Sequence, residues 1–384
     1  MWQAEIRVDL GAIRRNVASL RARTTAQVMA VVKADGYGHG MVPAARAALA
    51  GGARWLGACT IREALTLRDA GIDVPVLAWL WAPGEPVADA VRAHVDLSLA
   101  SLDQLGAVVV AARRWDRTAR VHLKIDSGLS RNGAPPATWS ALVDASAKAQ
   151  ADGDIDVVGA WSHLAAADEP GHPSVDRQLA RFHDGLDTVT RAGLAPQVRH
   201  LANSAAMLTR PDTHFDLVRP GLAIYGLAPI PERAAEFGLR PAMTLRATVA
   251  LAKRVPAGEG VSYGHTYTTD RETTLALIPI GYADGVPWHA SGVGPVHLAG
   301  QVRTIAGRVC MDQIVLDCGD DVVRAGDVAT LFGPGDNGEP TADDWAAAAG
   351  TINYEIVTRV GSTRIQRIYD GRGYDGRGYD EAAL

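Results

Sequence analysis

"VMAVVKADGYGHG", residues 28–40, runs from an apolar, β-branched stretch straight into a lysine and a glycine-rich turn. Such a run reads as a buried strand, and Lys33 closes it. Gly36, Gly38 and Gly40 follow, with Tyr37 and His39 between them. The chain holds four lysines (33, 124, 148 and 253) among 38 basic residues, so arginine supplies positive charge almost everywhere. Lysine, unlike arginine, can shed its proton and act as a base or a Schiff-base former. A lysine at the end of a buried strand is therefore a candidate for chemistry rather than for charge alone.

The same phrase recurs through the first 238 residues: a short β-branched run, a turn, then an Ala/Leu/Arg-rich helical segment. Examples are "AEIRVDL" before "GAIRRNVASLRAR", "RWLGACT" before "IREALTLRDAG", and "IDVVGAWSH" before "VDRQLARFHDGLDTVTRAG". Strict alternation of strand and helix predicts a parallel β/α architecture. Nine candidate strands for a barrel of eight leave one over. After "GLRPAM" the helical segments nearly vanish, and "TLRATVALAKRV", "TTLALIPIGYA", "VRTIAGRVCMDQIVLD" and "DVATLF" follow, interrupted by one short helix, "TADDWAAAAG". The expected fold is an N-terminal (β/α)8 TIM-type barrel over residues 11–238 with an all-β domain over 239–370. The tandem "YDGRGYDGRGYD" near the end reads as a solvated, flexible tail, 371–384, whose Asp residues offset its Arg residues.

Composition narrows the function classes. Apolar residues make up 47% and charged residues 21% of 384 residues, and the net charge of −5 carries no nucleic-acid or polybasic membrane signature. No apolar run reaches the length of a membrane helix, and "MWQAEIRVDLG" has no signal-peptide core. Cys59, Cys310 and Cys318 form no CxxC pair, which argues against a disulfide framework and a zinc site. Cytoplasm is the expected location.

In a β/α barrel the active site lies at the C-terminal ends of the strands. Lys33 and Tyr37, then Lys124 and Arg131, then His163, then Asn203 and Ser204, then Arg219, Gly221 and Tyr225 all fall at or just after such ends. A strand-end lysine backed by Gly, Ser and Tyr suited to a phosphate is what a pyridoxal-phosphate site requires. An arginine facing the pyridine nitrogen can donate a hydrogen bond without handing over its proton, which favours prompt reprotonation at Cα and so racemisation. Racemisation also needs a base on each face of Cα. Lys33 can serve one, and Tyr263 in "GEGVSYGHTY" of the β-domain can serve the other if a neighbouring network that includes His163 lowers its pKa.

The chain resembles the alanine racemases in "AVVKADGYGHG", "KIDSGLSRNG", "WSHLAAADE", "RHLANSAA", "DLVRPGLAIYG", "GVSYGHTY", "IPIGYADG" and "AGRVCMDQ", in that family's order. The resemblance implies a pyridoxal-phosphate barrel, a first strand (residues 1–10) that joins the β-domain, and a head-to-tail homodimer with shared active sites. It implies interconversion of L- and D-alanine, with D-alanine supplied for peptidoglycan. Lys33 would hold the cofactor and act as the D-specific base, and Tyr263 of the other chain as the L-specific base. Tyr37, Ser204, Gly221, Leu222 and Tyr354 would hold the phosphate, with Asn203 beside them. Arg219 would face the ring nitrogen with His163 behind it. Arg131 would contact the ring oxygen and the substrate carboxylate, and the backbone N–H of Met311 would reach that carboxylate, with Tyr282 and Asp312 close by. Lys124 matches a position that is carbamylated in many members, and otherwise reads as a plain paired lysine. Trp288 stands where many members carry an arginine at the channel mouth, which puts the usual partner of Asp168 in doubt.

Three other readings compete. A non-catalytic pyridoxal-phosphate carrier would share only the barrel. A decarboxylase of related fold would place a catalytic cysteine and aspartate differently from "AGRVCMDQ". A racemase of broader scope would also take serine or larger amino acids, since a small pocket poorly rejects one hydroxyl.

Overall fold

The structure is a computed structural model that describes residues 3–371. The repeated terminal stretch read as a tail lies, from residue 372 on, outside the described residues.

In chain order the first strands are β1 (Ala4–Asp9), β2 (Gln27–Val31), β3 (Trp55–Ala58), β4 (Val76–Ala78), β5 (Asp96–Leu99), β6 (Ala119–Lys124), β7 (Ile155–Trp161), β8 (Val198–His200) and β9 (Leu217–Val218). The strands β2 to β9 form one parallel sheet of eight in the order 8-7-6-5-4-3-2-9. The seam between β8 and β9 is bridged by Asp216 N–H to the Arg199 carbonyl at 3.1 Å and Arg219 N–H to the Ala202 carbonyl at 2.9 Å. The barrel is nearly closed. Helices cover its outside, so these strands are buried on both faces and read as apolar runs. Met29, Trp55, Leu77, Val158, Val198 and Leu217, one from each of six strands, pack together as a cluster of their own.

The strand left over is β1. It pairs antiparallel with β10 (Met243–Thr248) and parallel with β19 (Gln366–Asp370), outside the barrel. The intervening strands of this strand-rich C-terminal domain are β11 (Leu251–Val255), β12 (Gly260–Val261), β13 (Tyr267–Thr268), β14 (Thr273–Ile278), β15 (Pro295–Leu298), β16 (Gln301–Thr304), β17 (Ile314–Asp317) and β18 (Val328–Phe332). "TLRATVALAKRV" is not one strand: β10 joins the six-stranded sheet and β11 a separate sheet of three. A second short helix, Asn353–Arg359, follows Ala342–Ala349.

The chain turns from β1 directly into the helix Leu10–Arg21, whose first turn is capped by Asp9 accepting from Ala12 N–H at 2.8 Å. Its buried face carries Leu10, Ile13, Asn16, Val17 and Leu20 at helical spacing. Asn16 is the polar member. Its amide donates to the carbonyls of Ile224 (3.2 Å) and Arg240 (2.9 Å) and accepts from Arg240 N–H (3.0 Å), fastening the helix to the segment that leaves the barrel. Just there, Gly226 has φ +84°, and a Cβ would lie 1.7 Å from the Arg240 carbonyl oxygen, so only glycine fits. Asn16→Ala strips three backbone groups of their partner, one buried and two partly buried, and a loss of about 1–3 kcal/mol in stability is expected. A urea or thermal unfolding series on the variant checks this, and an unchanged midpoint would refute it.

Candidate active site

The C-terminal ends of the barrel strands surround a cavity of about 580 Å³. Lys33, after β2, and Lys124, ending β6, reach it from two sides, with Arg131, His163, Asn203, Ser204, Arg219, Gly221, Leu222 and Tyr354 around them. Tyr37 lines it too. Cys59, Trp79, Asn132 and Trp161 also line it, and sequence reasoning missed all four. Two of them mark themselves by geometry alone: the Lys33 ammonium sits 5.8 Å from the Trp79 ring centre, and Lys124 sits 4.1 Å from that of Trp161.

Lys33 is presented by a left-handed turn. Ala34, Asp35, Gly36 and Tyr37 all have φ between 51° and 63°, at a cost of about 1–2 kcal/mol for each non-glycine residue. Two carboxylates hold the turn. Glu63 accepts from Ala34 N–H (2.7 Å) as well as from Cys59 N–H (2.7 Å), and Asp35 accepts from Met41 N–H (2.8 Å). Gly38 and Gly40 are forced by crowding: a Cβ would fall 2.2 Å from the Val357 carbonyl oxygen and 2.0 Å from the Tyr369 hydroxyl.

At the opposite end Ser204 Oγ accepts from Gly221 N–H (3.0 Å) and Ala223 N–H (3.3 Å), which leaves its own hydroxyl proton to donate. Asn203 caps the short helix Ser204–Thr209 through Ala206 N–H. A Cβ on Gly221 would lie 2.3 Å from the Tyr37 hydroxyl, so the tyrosine head occupies space only a glycine yields. Tyr37 and Tyr354 have ring centres 6.4 Å apart, and burial pushes the Tyr354 phenol up to about 12. Both hydroxyls are therefore donors at neutral pH.

Arg219 is buried, 5% exposed. Its terminal nitrogens donate to the carbonyls of Ser162 (2.8 Å) and Leu201 (3.0 Å) and to Nδ1 of His163 (3.2 Å) and His200 (3.0 Å). Nε is left without a protein partner among the described residues. Burial pulls the guanidinium down to about 9, which keeps it charged at neutral pH. His163 is held well below its usual pKa by burial and by Arg219, Arg131, Lys124 and Lys33. It is neutral, accepts at Nδ1 and so carries its proton on Nε2. Burial, then the charges of Arg219 and Arg131, lower Lys124 to about 7. Among the described residues no Asp or Glu lines the cavity. Its chemistry asks for an anion.

Tyr263, Tyr282 and Met311 do not line this cavity of their own chain; they stand 71%, 43% and 53% exposed on the C-terminal domain. Asp312, expected near the substrate carboxylate, is ion-paired with Arg364 at 2.5 Å. Trp288 is also exposed, and the Arg308 guanidinium lies 5.9 Å from its ring centre. His200, which the sequence reading does not single out, is buried against Arg219.

Family comparisons agree with this geometry. The family description "Alanine racemase, N-terminal domain" matches residues 8–229, and "Alanine racemase, C-terminal domain" matches residues 242–369. The alanine racemase of Salinispora arenicola is 68% identical over 371 residues, 97% of this chain and 99% of the relative. That of Thermobifida fusca is 61% identical over 369 residues, covering 96% and 98%. The crystal structure of the alanine racemase from Streptomyces lavendulae matches with a TM-score of 0.95 at 55% identity, covering 97% of this chain and 98% of that one. The chain belongs to the alanine racemase family of pyridoxal-phosphate-dependent isomerases.

Proposed function

We propose that the protein interconverts L- and D-alanine by moving the Cα proton between Lys33 on one face and Tyr263 of a partner subunit on the other. The observation that carries this reading is the cation-walled cavity, lined by no Asp or Glu among the described residues, with Lys33 at a barrel strand end. Pyridoxal 5′-phosphate, when bound, supplies an electron sink for the pair left at Cα. The residues present suit it. Ser204, Tyr37, Tyr354 and the backbone at Gly221 and Leu222 would hold its phosphate, with Asn203 fixing the helix start beside them. Arg219 Nε would donate to the ring nitrogen and keep its own proton.

Lys33 Nζ would carry a proton to or from one face of Cα. Tyr263 needs help to act as a base near neutral pH, since a free phenol has a pKa of about 10. His163, whose Nδ1 is taken by Arg219, has its Nε2–H to offer a tyrosinate. Arg131 would pair with the substrate carboxylate, joined by the N–H of the partner subunit's Met311. Asp312 then acts at one remove: with Arg364 it braces the loop that bears Met311. The exposed Tyr263, Tyr282 and Met311 suit a homodimer in which each site borrows these groups. D-alanine made in the cytoplasm would serve peptidoglycan synthesis.

Lys124 fits a carbamate. A neutral amine attacks carbon dioxide, forming an N–C bond and releasing a proton, and the resulting charge would sit beside Arg131. With its pKa lowered to about 7, Lys124 is neutral above that pH and protonated below it. A 13C carbamate resonance from labelled bicarbonate should be strong at pH 8, fade at pH 6 and be missing in Lys124→Arg. A resonance that survives in Lys124→Arg would refute the assignment.

Lys33 should be the residue that carries the cofactor after borohydride reduction, read by peptide mass mapping. Label on Lys124, Lys148 or Lys253 instead would end this reading. The shared site is tested by subunit exchange between Lys33→Ala and Tyr263→Phe proteins, each nearly inactive. Random exchange makes half the dimers hybrid, each with one intact site, so roughly a quarter of wild-type activity should return. No recovery, with exchange verified by native mass measurement, would mean that one chain builds each site.

A further inference from the structure

A chain of buried hydrogen bonds runs from Arg219 down through the barrel. Arg219 donates to His200 Nδ1 (3.0 Å), His200 Nε2 lies 2.9 Å from His122 Nδ1, and His122 Nε2 lies 3.3 Å from Asp96 Oδ2. Asp96 is held in turn by Arg120 from β6, Nε to Oδ1 at 2.7 Å. His122, His200 and Asp96 have no solvent exposure. The barrel makes room for the middle ring. Gly159 of β7 faces His122, and a Cβ there would lie 2.1 Å from His122 Nδ1. The β6–β7 register also shifts between Val121 and His122, a local irregularity of the kind that re-aims a side chain.

We infer that Asp96, His122 and His200 are a positioning relay that fixes the tautomer of His200 and thereby locks the Arg219 guanidinium in its aim at the cavity. The two ends leave no freedom. Arg219 can only donate, so His200 Nδ1 must accept and its proton must sit on Nε2. His122 Nδ1 then accepts, its proton sits on Nε2, and the Asp96 carboxylate, which can only accept, receives it. A second proton on either imidazole would set one N–H against another. Burial and the charge of Arg219 keep His200 well below its usual pKa, in line with this. The relay also answers an electrostatic need. Among the described residues Arg219 touches no carboxylate, and two aligned imidazole dipoles backed by Asp96 turn their negative end towards it. The consequence for turnover rests on the proposed role of Arg219, whereas the tautomer assignment does not.

The test is a comparison of His122→Leu with His122→Gln. Leucine cuts the relay. Glutamine can restore it, with its carbonyl towards His200 and its amide towards Asp96. In 15N-histidine-labelled wild-type protein, measured without alanine, Nδ1 of both His122 and His200 should be unprotonated and Nε2 protonated. In His122→Leu, kcat should fall on the order of tenfold with KM for alanine unchanged, and His200 should sample both tautomers. His122→Gln should recover most of kcat and the single tautomer. If His122→Leu does not fold, Asp96→Asn takes its place, and a severalfold fall in kcat is expected in protein that a melting curve shows to be folded. A proton on Nδ1 of either wild-type histidine overturns the relay, as does wild-type kcat in the folded cut variant, or a loss that glutamine fails to restore. Because the nitrogen spectrum needs no turnover, failure of the relay and failure of the racemase reading give different results.

Discussion

Lys33, Lys124, Arg131 and Arg219 share the wall of one cavity, and among the described residues no Asp or Glu lines it. Like charges held this close in a partly desolvated space raise one another's energy. The protein answers in two ways visible in the structure. It makes neighbouring groups give up protons, as His163 does and as Lys124 half does near neutral pH. It also clothes the deepest charge, Arg219, with carbonyls and neutral imidazoles. On the proposed reading a phosphate and a substrate carboxylate would supply the missing negative charge, so the same imbalance that strains the free protein would select the ligand.

Much of this arrangement was legible in the sequence, for a definite reason. Strand ends are marked by turn residues, and in a barrel all strand ends meet, so Lys33, Lys124, His163, Ser204 and Arg219 could be gathered into one site without knowing any distance. What lies within the barrel is less marked. His122 sits inside β6 and His200 is the last residue of β8, and a period of two tells only which face a side chain takes, not which partner it meets across the sheet. Trp79 and Trp161 carry no distinguishing mark, since a strand-end tryptophan reads equally as packing. In the C-terminal domain "TLRATVALAKRV" carries no Gly or Pro where β10 ends and β11 begins, so the change of sheet had no local signal. The helix Asn353–Arg359 is too short to show a period.

The barrel and the C-terminal domain are also tied to each other beneath the site. The strand β1 lies between β10 and β19, while the helix that follows it, through Asn16, holds the Ile224 and Arg240 carbonyls. The turn that presents Lys33 takes part in the same connection. Asp35, which receives Met41 N–H, is ion-paired with Arg367 at 2.8 Å, and the Val357 carbonyl sits over Gly38. The strained left-handed turn is thus gripped by groups from the far end of the chain, which explains how the four consecutive left-handed residues Ala34, Asp35, Gly36 and Tyr37 are kept in place.

The exposed groups of the C-terminal domain are braced rather than loose. Arg364 bonds both oxygens of the buried Asp284 at 2.9 Å and also reaches Asp312, while Asp284 accepts from Gly281 N–H at 3.0 Å. Tyr282 N–H donates to the Cys310 carbonyl and Ala283 N–H to that of Met311, both at 3.0 Å. Gly281 is required there, since a Cβ would meet the Cys310 carbonyl oxygen at 2.3 Å. Two loops are therefore sewn together so that Tyr282 and Met311 face outward in a fixed geometry. Rigid, exposed side chains cost little ordering entropy when they dock. On the dimeric reading, that rigidity is what allows a group carried by one subunit to be placed with catalytic accuracy in the site of another.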